Sequence, residues 1–174
     1  MTKTELAQKV FKVSYLKGTF KLRSGQISNE YFDKYKFESD PELLRLLAKH
    51  MAPLILPDTQ ILAGLELGGV PLATALSLET GIPLIFVRKK EKQYGTQKIA
   101  EGLEFSGKKV CVIEDVITTG GQVIESCQEL KKQGAMITQV ISVILRGSGK
   151  ELAEQGLNLN SLFTMDELKN SAVL

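Results

Sequence analysis

Apolar residues open the chain at Leu6, Val10, Val13 and Leu16, three or four positions apart, while Lys3, Glu5, Lys9 and Lys12 fall between them. That spacing predicts an amphipathic helix over residues 4–16, broken at Gly18. The period then changes. Apolar and polar residues alternate through residues 18–37 around Ser24-Gly25, which predicts two short strands joined by a turn, with Arg23, Tyr31 and Phe32 near the hairpin's middle. Asp40-Pro41 is a helix-start signal, and Leu43, Leu44, Leu47 and Met51 form the packing stripe of a helix that Pro53 and Pro57 bring to an end.

Beyond residue 60 short apolar runs alternate with helical stretches. QILAGLELGGV, residues 60–70, reads as a buried strand giving way to a glycine-containing loop, followed by a helix over 71–79 with Pro71 in its first turn. Gly81-Ile82-Pro83 makes a turn, and LIFV, residues 84–87, is a strand running into the charged segment RKKEKQYG. A further strand ends at Ile113, a loop spans 114–121, and a helix over 122–133 closes at Gly134. ITQVISVIL, the loop at 146–149, a helix around 150–155, the strand LNSLF and a helical MDEL turn complete the chain. Such alternation predicts an α/β fold, a mostly parallel central sheet flanked by helices, with a small N-terminal hairpin and helix attached. No tandem repeat or long linker divides it, so residues 1–174 are expected to form a single domain.

Composition changes this picture little. A chain of 174 residues buries roughly 70% of its unfolded surface without needing disulfides or metal. Lys and Arg number 22 against 20 Asp and Glu, a net +2 that offers no whole-chain argument for a nucleic-acid partner, so any anion site must be local. No apolar run approaches the ~18–20 residues needed to cross a bilayer, and Lys and Glu interrupt the N-terminal segment where a signal peptide would be apolar. Cys111 and Cys127 lack nearby Cys-His partners and read as reduced packing residues; His50, the only histidine, sits in a helical pattern and reads as structural. A cytoplasmic setting, with neither membrane nor nucleic acid as partner, is the expectation.

The candidate chemistry lies in loops at the C-terminal ends of strands, where open α/β sheets bind ligands: 66–69, 88–95, 114–121 and 146–149. The most informative is VCVIEDVITTGG, residues 110–121. A strand can deliver Glu114 and Asp115 to the sheet rim to hold sugar hydroxyls, while the hydroxyls and backbone N–H groups of the following segment surround a phosphate at a helix N-terminus. A plainer reading makes the two acids surface charge that initiates a helix, but TTGG directly after an apolar strand favours an anion site. The spacing is neither that of a Walker phosphate loop nor that of the GxGxxG dinucleotide fingerprint.

This segment resembles the phosphoribosyl diphosphate motif of the type I phosphoribosyltransferases. LRSGQISNEYFD, LELGGVPLA, RKKEKQYG and Arg146, in that order and spacing, extend the resemblance to the orotate phosphoribosyltransferase family from about Leu16 to FTMDEL. The resemblance implies Mg2+-dependent transfer of a phosphoribosyl group from 5-phosphoribosyl 1-diphosphate to orotate, giving orotidine 5'-phosphate and diphosphate in pyrimidine (UMP) biosynthesis. It also implies a type I phosphoribosyltransferase fold whose residues 1–40 cover the base, and a homodimer with shared active sites. Carried over by position, Glu66, Leu67, Gly68, Gly69, Arg88, Lys89, Lys92 and Tyr94 would bind the diphosphate side. Glu114, Asp115, Val116, Ile117, Thr118, Thr119, Gly120, Gly121 and Gln122 would bind the ribose and its 5-phosphate. Arg23, Tyr31, Phe32, Thr118 and Arg146 would meet orotate. Lys89, Lys92 and Asp115 are the implied catalytic residues, with Asp115 a candidate acceptor for the orotate proton. No protein ligand is assigned to Mg2+, which the substrate would largely hold. Two positions depart from the family pattern: Arg23 stands where Lys is common, which keeps charge but alters geometry, and Tyr94 stands near a usual His. Two other readings are transfer to a different base, and a regulator that binds a phosphoribosyl ligand or RNA without transfer.

Overall fold

Thr2 and Glu5 set the first helix by capping one another: the Glu5 amide donates to Thr2 Oγ1 at 3.2 Å and the Thr2 amide to Glu5 Oε2 at 2.7 Å. The computed structural model describes residues 1–22, 25–89 and 99–172. In it helix α1 spans Lys3–Ser14, shorter than the apolar spacing indicates. Tyr15 and Leu16 leave it to pair with Phe32 and Tyr31, so strand β1, Tyr15–Lys21, runs through Gly18 against antiparallel β2, Ile27–Phe32. Tyr31 and Phe32 therefore stand at the open end of the hairpin, not its middle. Residues expected to continue the strand instead form a helical turn, α2, Tyr35–Glu38, begun where Asp33 Oδ1 accepts from the Tyr35 amide at 3.2 Å. This turn buries Phe37 and Glu38.

Asp40 caps α3, Pro41–Met51, by accepting from the Glu42 and Leu43 amides. There follow β3, Ile61–Leu65; α4, Gly69–Thr80; β4, Leu84–Val87; β5, Ala100–Gly102; and β6, Lys109–Ile117. The chain continues as α5, Gly121–Lys132; β7, Met136–Leu145; α6, Lys150–Glu154; β8, Leu159–Thr164; and α7, Met165–Ser171. Strand β5 pairs antiparallel with β4 and has too few residues for a legible period. Strand β6 does not stop at Ile113 but stays paired with β7 as far as Ile117 and Leu145. Glu114 and Asp115 are thus strand residues rather than loop residues.

The main sheet has the order β5-β4-β3-β6-β7-β8 and is parallel except at β5. Side chains alternate between two packed layers, as successive strand residues must. Leu62, Cys111, Ile113 and Ile141 join α1, α3, α4 and α7 on one face, while Ile61, Ala63, Val110 and Val112 join α5 and α6 on the other. The two cysteines are free and buried, one in each layer, and burial pushes each thiol up to about 12. From β3 the chain first moves outward to β4 and then returns to the other side of β3 as β6. That reversal opens a crevice between the C-terminal ends of β3 and β6, the position where such sheets hold ligands.

Candidate active site

The loop after β3 approaches β6 so closely that side chains are excluded. A Cβ on Gly68 would lie 1.6 Å from Asp115 Oδ2, and one on Gly69 would lie 2.3 Å from the Ile113 carbonyl oxygen. Here the two glycines act through what they lack. The Glu66–Leu67 peptide is cis, and Glu66 Oε1 accepts a 3.0 Å hydrogen bond from the Lys89 amide, tying this loop to the end of β4.

Glu66, Leu67, Lys89 and the whole run from Glu114 to Gln122 line one hollow of about 280 Å³ in this crevice. At its far end Thr118 and Thr119 are exposed, and Gly120 takes a left-handed conformation, φ 82°, to turn into α5. No side chain caps that helix, so the amides of its first turn face the hollow together with the positive end of the helix dipole. A phosphate is the group such an end accepts. Hollows of 300 and 540 Å³ beside α1 are larger, but strand ends do not converge on them.

Near the middle of the hollow the two acids differ. Glu114 Oε1 folds back to accept from the Asp115 amide at 2.8 Å; burial, with the Asp115 charge beside it, raises the Glu114 carboxyl well above its ordinary value. Asp115 is only 1% exposed and forms an ion pair with Lys34, Nζ to Oδ2 2.5 Å. Burial opposes its ionisation, yet hydrogen bonds from Glu114, Lys34 and Glu38 outweigh burial and hold Asp115 below the usual carboxylate range. A carboxylate held in that way suits the placing of negative charge better than the acceptance of a proton. Burial likewise disfavours the Lys34 ammonium, and the Asp115 contact more than restores it, leaving Lys34 above its ordinary value. Sequence reasoning missed Lys34 and Glu38, because DKYKFE between the hairpin and α3 carries no spacing that marks them as part of a site.

The residues expected to meet orotate are divided. Tyr31, Phe32 and Arg146 line a smaller cavity of about 110 Å³ between the hairpin and α7, with Tyr15, Glu30 and Lys169 among its walls. Thr118 lines the larger hollow. The two meet at a seam: the Arg146 amide donates to the Ile117 carbonyl at 2.8 Å, and Gly147 packs so tightly that a Cβ would lie 2.5 Å from the Thr118 backbone carbonyl oxygen. Arg88 does not line the larger hollow, its Nε standing 3.5 Å from Glu101 Oε1 across β4 and β5. Arg23, Lys92 and Tyr94 lie outside the described residues. Among the described residues no group of three or more His, Cys, Asp and Glu side chains is placed to hold a metal ion, and no helix is long and apolar enough to cross a membrane.

A hollow at a sheet reversal, with paired acids leading into a phosphate cradle, defines the class of phosphoribosyltransferases, and residues 38–160 match the phosphoribosyl transferase domain family. The chain is 48% identical over 165 residues to the orotate phosphoribosyltransferase of Nocardioides sp., covering 94% of this chain and 92% of that one. It is 38% identical over 168 residues to the enzyme of Methanocella arvoryzae, covering 95% and 96%. The crystal structure of Mycobacterium tuberculosis orotate phosphoribosyltransferase in complex with Fe(III) dicitrate superposes with a TM-score of 0.86 at 30% identity, covering 95% of this chain and 98% of that one. The chain belongs to the orotate phosphoribosyltransferase family.

Proposed function

We propose that the protein transfers the phosphoribosyl group of 5-phosphoribosyl 1-diphosphate to orotate with Mg2+, releasing diphosphate and forming orotidine 5'-phosphate. The observation that carries this reading is the convergence of Glu66, Lys89, Glu114, Asp115 and the Thr118–Gly121 cradle on one hollow, joined through the Ile117–Arg146 backbone bond to a second cavity beside the hairpin. The first accommodates the phosphorylated sugar and its leaving group. The second offers a cationic side chain and aromatic walls to a planar, anionic base. The Mycobacterium tuberculosis enzyme has also been solved in complex with 5-phospho-alpha-D-ribosyl 1-diphosphate, at a TM-score of 0.82 and 27% identity to this chain, covering 96% of this chain and 98% of that one.

In the reaction the bond from ribose C1 to the diphosphate oxygen breaks, and both its electrons leave with diphosphate. The orotate ring nitrogen supplies the pair for the new bond to C1, and its proton passes to the departing diphosphate, whose oxygen gains negative charge as the C1 bond breaks. Positive charge grows on the ribose, where the Asp115 carboxylate stabilises it by charge and Glu114 by holding the sugar hydroxyls in place; negative charge grows on diphosphate, where Lys89, Lys92 and Arg88 stabilise it. Arg88 reaches that role by exchanging its Glu101 contact for the leaving group. When bound, Mg2+ would supply neutralisation of the diphosphate charge, held largely through the substrate's own oxygens.

The whole chain acts as one catalytic domain, with residues 1–40 covering the base and Arg23 adding a second cation there. It works as a homodimer in which Lys92 serves the neighbouring site. Mixed dimers of Lys92→Ala and Asp115→Ala chains should then regain activity above either homodimer; heterodimers without that gain would remove the sharing. For the reaction itself, purified protein with Mg2+ and 5-phosphoribosyl 1-diphosphate is offered orotate, uracil or a purine base in turn, and nucleotide products are identified. Product with orotate alone is expected. Product with another base would reassign the acceptor, and binding without any product would make the protein a regulator.

A further inference from the structure

We propose that Lys34 and Glu38, which come from the segment joining the hairpin to α3, are positioning residues that fix the Asp115 carboxylate beneath the Gly68 backbone. The proposal rests on the phosphoribosyl-transfer reading and adds to it two residues from outside the motif.

Three elements converge on one point. Lys34 Nζ stands 2.5 Å from Asp115 Oδ2, while Asp115 Oδ1 accepts from the Val116 amide of its own strand. The space that a Cβ on Gly68 would fill lies 1.6 Å from Asp115 Oδ2 and 2.8 Å from Glu38 Oε1. The two carboxyl oxygens therefore face each other across the gap that glycine leaves open. Glu38 Oε1 is buried, and no N–H or hydroxyl among the described residues reaches it. A proton carried by one of the carboxyls is the group that satisfies such a pair.

The charges decide which one carries it. Lys34 and the Val116 amide favour the ionised form of Asp115, whereas burial, followed by the Asp115 contact and charge, raises Glu38 to about 8. Glu38 is accordingly the neutral acid at pH 7, donating to Asp115, and the buried set of Lys34, Asp115 and Glu38 is electrically balanced. Asp33 and Tyr35 flanking Lys34, and Glu114 on β6, are the other titratable groups acting on this set. A merely structural ion pair would be closed off from the site. Lys34 is instead one-third exposed and lines the larger hollow, so its position bears directly on where Asp115 meets the ribose.

The test uses full-length wild type, Lys34→Met, Lys34→Arg and Glu38→Gln, with kcat and both KM values measured between pH 6 and 9.5. Lys34→Met should lower kcat at least about tenfold while the orotate KM moves less than about twofold, and Lys34→Arg should recover much of the loss. Wild-type kcat should decline above about pH 8 as the second carboxyl ionises, and Glu38→Gln should remove that decline. A Lys34→Met protein with wild-type kcat would overturn the proposal, as would a Glu38→Gln protein that keeps the wild-type basic limb. Carbon-13 NMR of the side-chain carboxyls gives a readout independent of transfer. Losing Lys34 should move the Asp115 titration upward; where Lys34→Met does not fold, Glu38→Leu, which has no proton to donate, should move it upward too. An unmoved Asp115 titration overturns the positioning claim even if transfer is confirmed, and a moved one upholds it even if the wild type forms no nucleotide.

Discussion

The two ends of the site are built differently. At the end proposed for the sugar, side chains and amides come from consecutive residues of β6 and the start of α5, and the neighbouring loop is pressed against them through Gly68 and Gly69. At the end proposed for the base, the hairpin and α7 contribute several side chains and the loop after β7 contributes Arg146, and the contacts among them are exposed: Tyr15 to Glu30 at 2.8 Å and Lys169 to Glu30 at 3.3 Å. Backbone approach permits almost no adjustment, because an added atom has nowhere to go. Exposed side chains on separate elements can shift. The sugar end should therefore respond to small changes with large losses, and the base end with graded ones.

The largest effect is expected from Gly68→Ala. The added carbon would overlap Asp115 Oδ2, so either the loop or the buried carboxylate must move. Overpacking of this kind costs about 1–3 kcal/mol of stability, and displacement of a transition-state contact by ~1 Å costs on the order of a hundredfold or more in rate. Denaturant melts and steady-state kinetics measure the two separately. Gly121→Ala is the control within the same end: nothing lies within 4 Å of its added Cβ, so its stability should stay within about 0.5 kcal/mol of wild type. Equal losses of stability in the two variants would break the claim that close approach at Gly68 sets the sugar end.

Arg146→Ala should come next. Its side chain lies on the base cavity and only its backbone reaches the sugar end, so the orotate KM should rise about ten- to hundredfold while the KM for 5-phosphoribosyl 1-diphosphate changes less than about twofold. Parallel rises in both would show that the seam between Ile117 and Arg146 couples the two ends more tightly than their construction implies.

This difference in construction also explains what could be read before the fold was known. The lining of the larger hollow was legible because Glu114 to Gly121 are neighbours in the chain, and the α/β alternation was legible because β3 and Val110 to Ile113 of β6 are continuous apolar runs buried on both faces. Three features were not. Strand β6 extends past Ile113 because β7 continues beside it, a pairing that the apolar run alone does not encode. The turn at Tyr35–Glu38 follows from an Asp33 hydrogen bond and the burial of Phe37, both decided by tertiary context. The Lys34–Asp115 pair joins residues far apart in the chain, whose types, a lysine and an aspartate, are individually commonplace.

A pH series on stability separates the ends again. Glu38 is raised from an ordinary 4.5 to about 8, so the folded protein holds a proton there that the unfolded chain has already released. Its contribution is complete below pH 4.5 and is lost as pH rises to about 8. Denaturant midpoints should fall through that interval in wild type and fall less steeply in Glu38→Gln. An identical slope in the two would place the proton elsewhere.

Lys169→Ala should have the smallest effect. Lys169 and Glu30 are each about half exposed, and Tyr15 still donates to Glu30 when Lys169 is gone, so Glu30 keeps one of its two side-chain partners. The freed carboxylate can then turn toward Arg146, whose charge already acts on it, and compete with orotate for that guanidinium. An orotate KM raised less than about fivefold is expected, shrinking further with added salt as exposed charges are screened, with no change in the KM for 5-phosphoribosyl 1-diphosphate. A rise that persists at high salt would instead assign Lys169 a packing role through its aliphatic stem against the cavity wall. A change in the diphosphate substrate's KM would mean that α7 reaches the sugar end through the hairpin and Lys34, and the two ends would then be one mechanical unit.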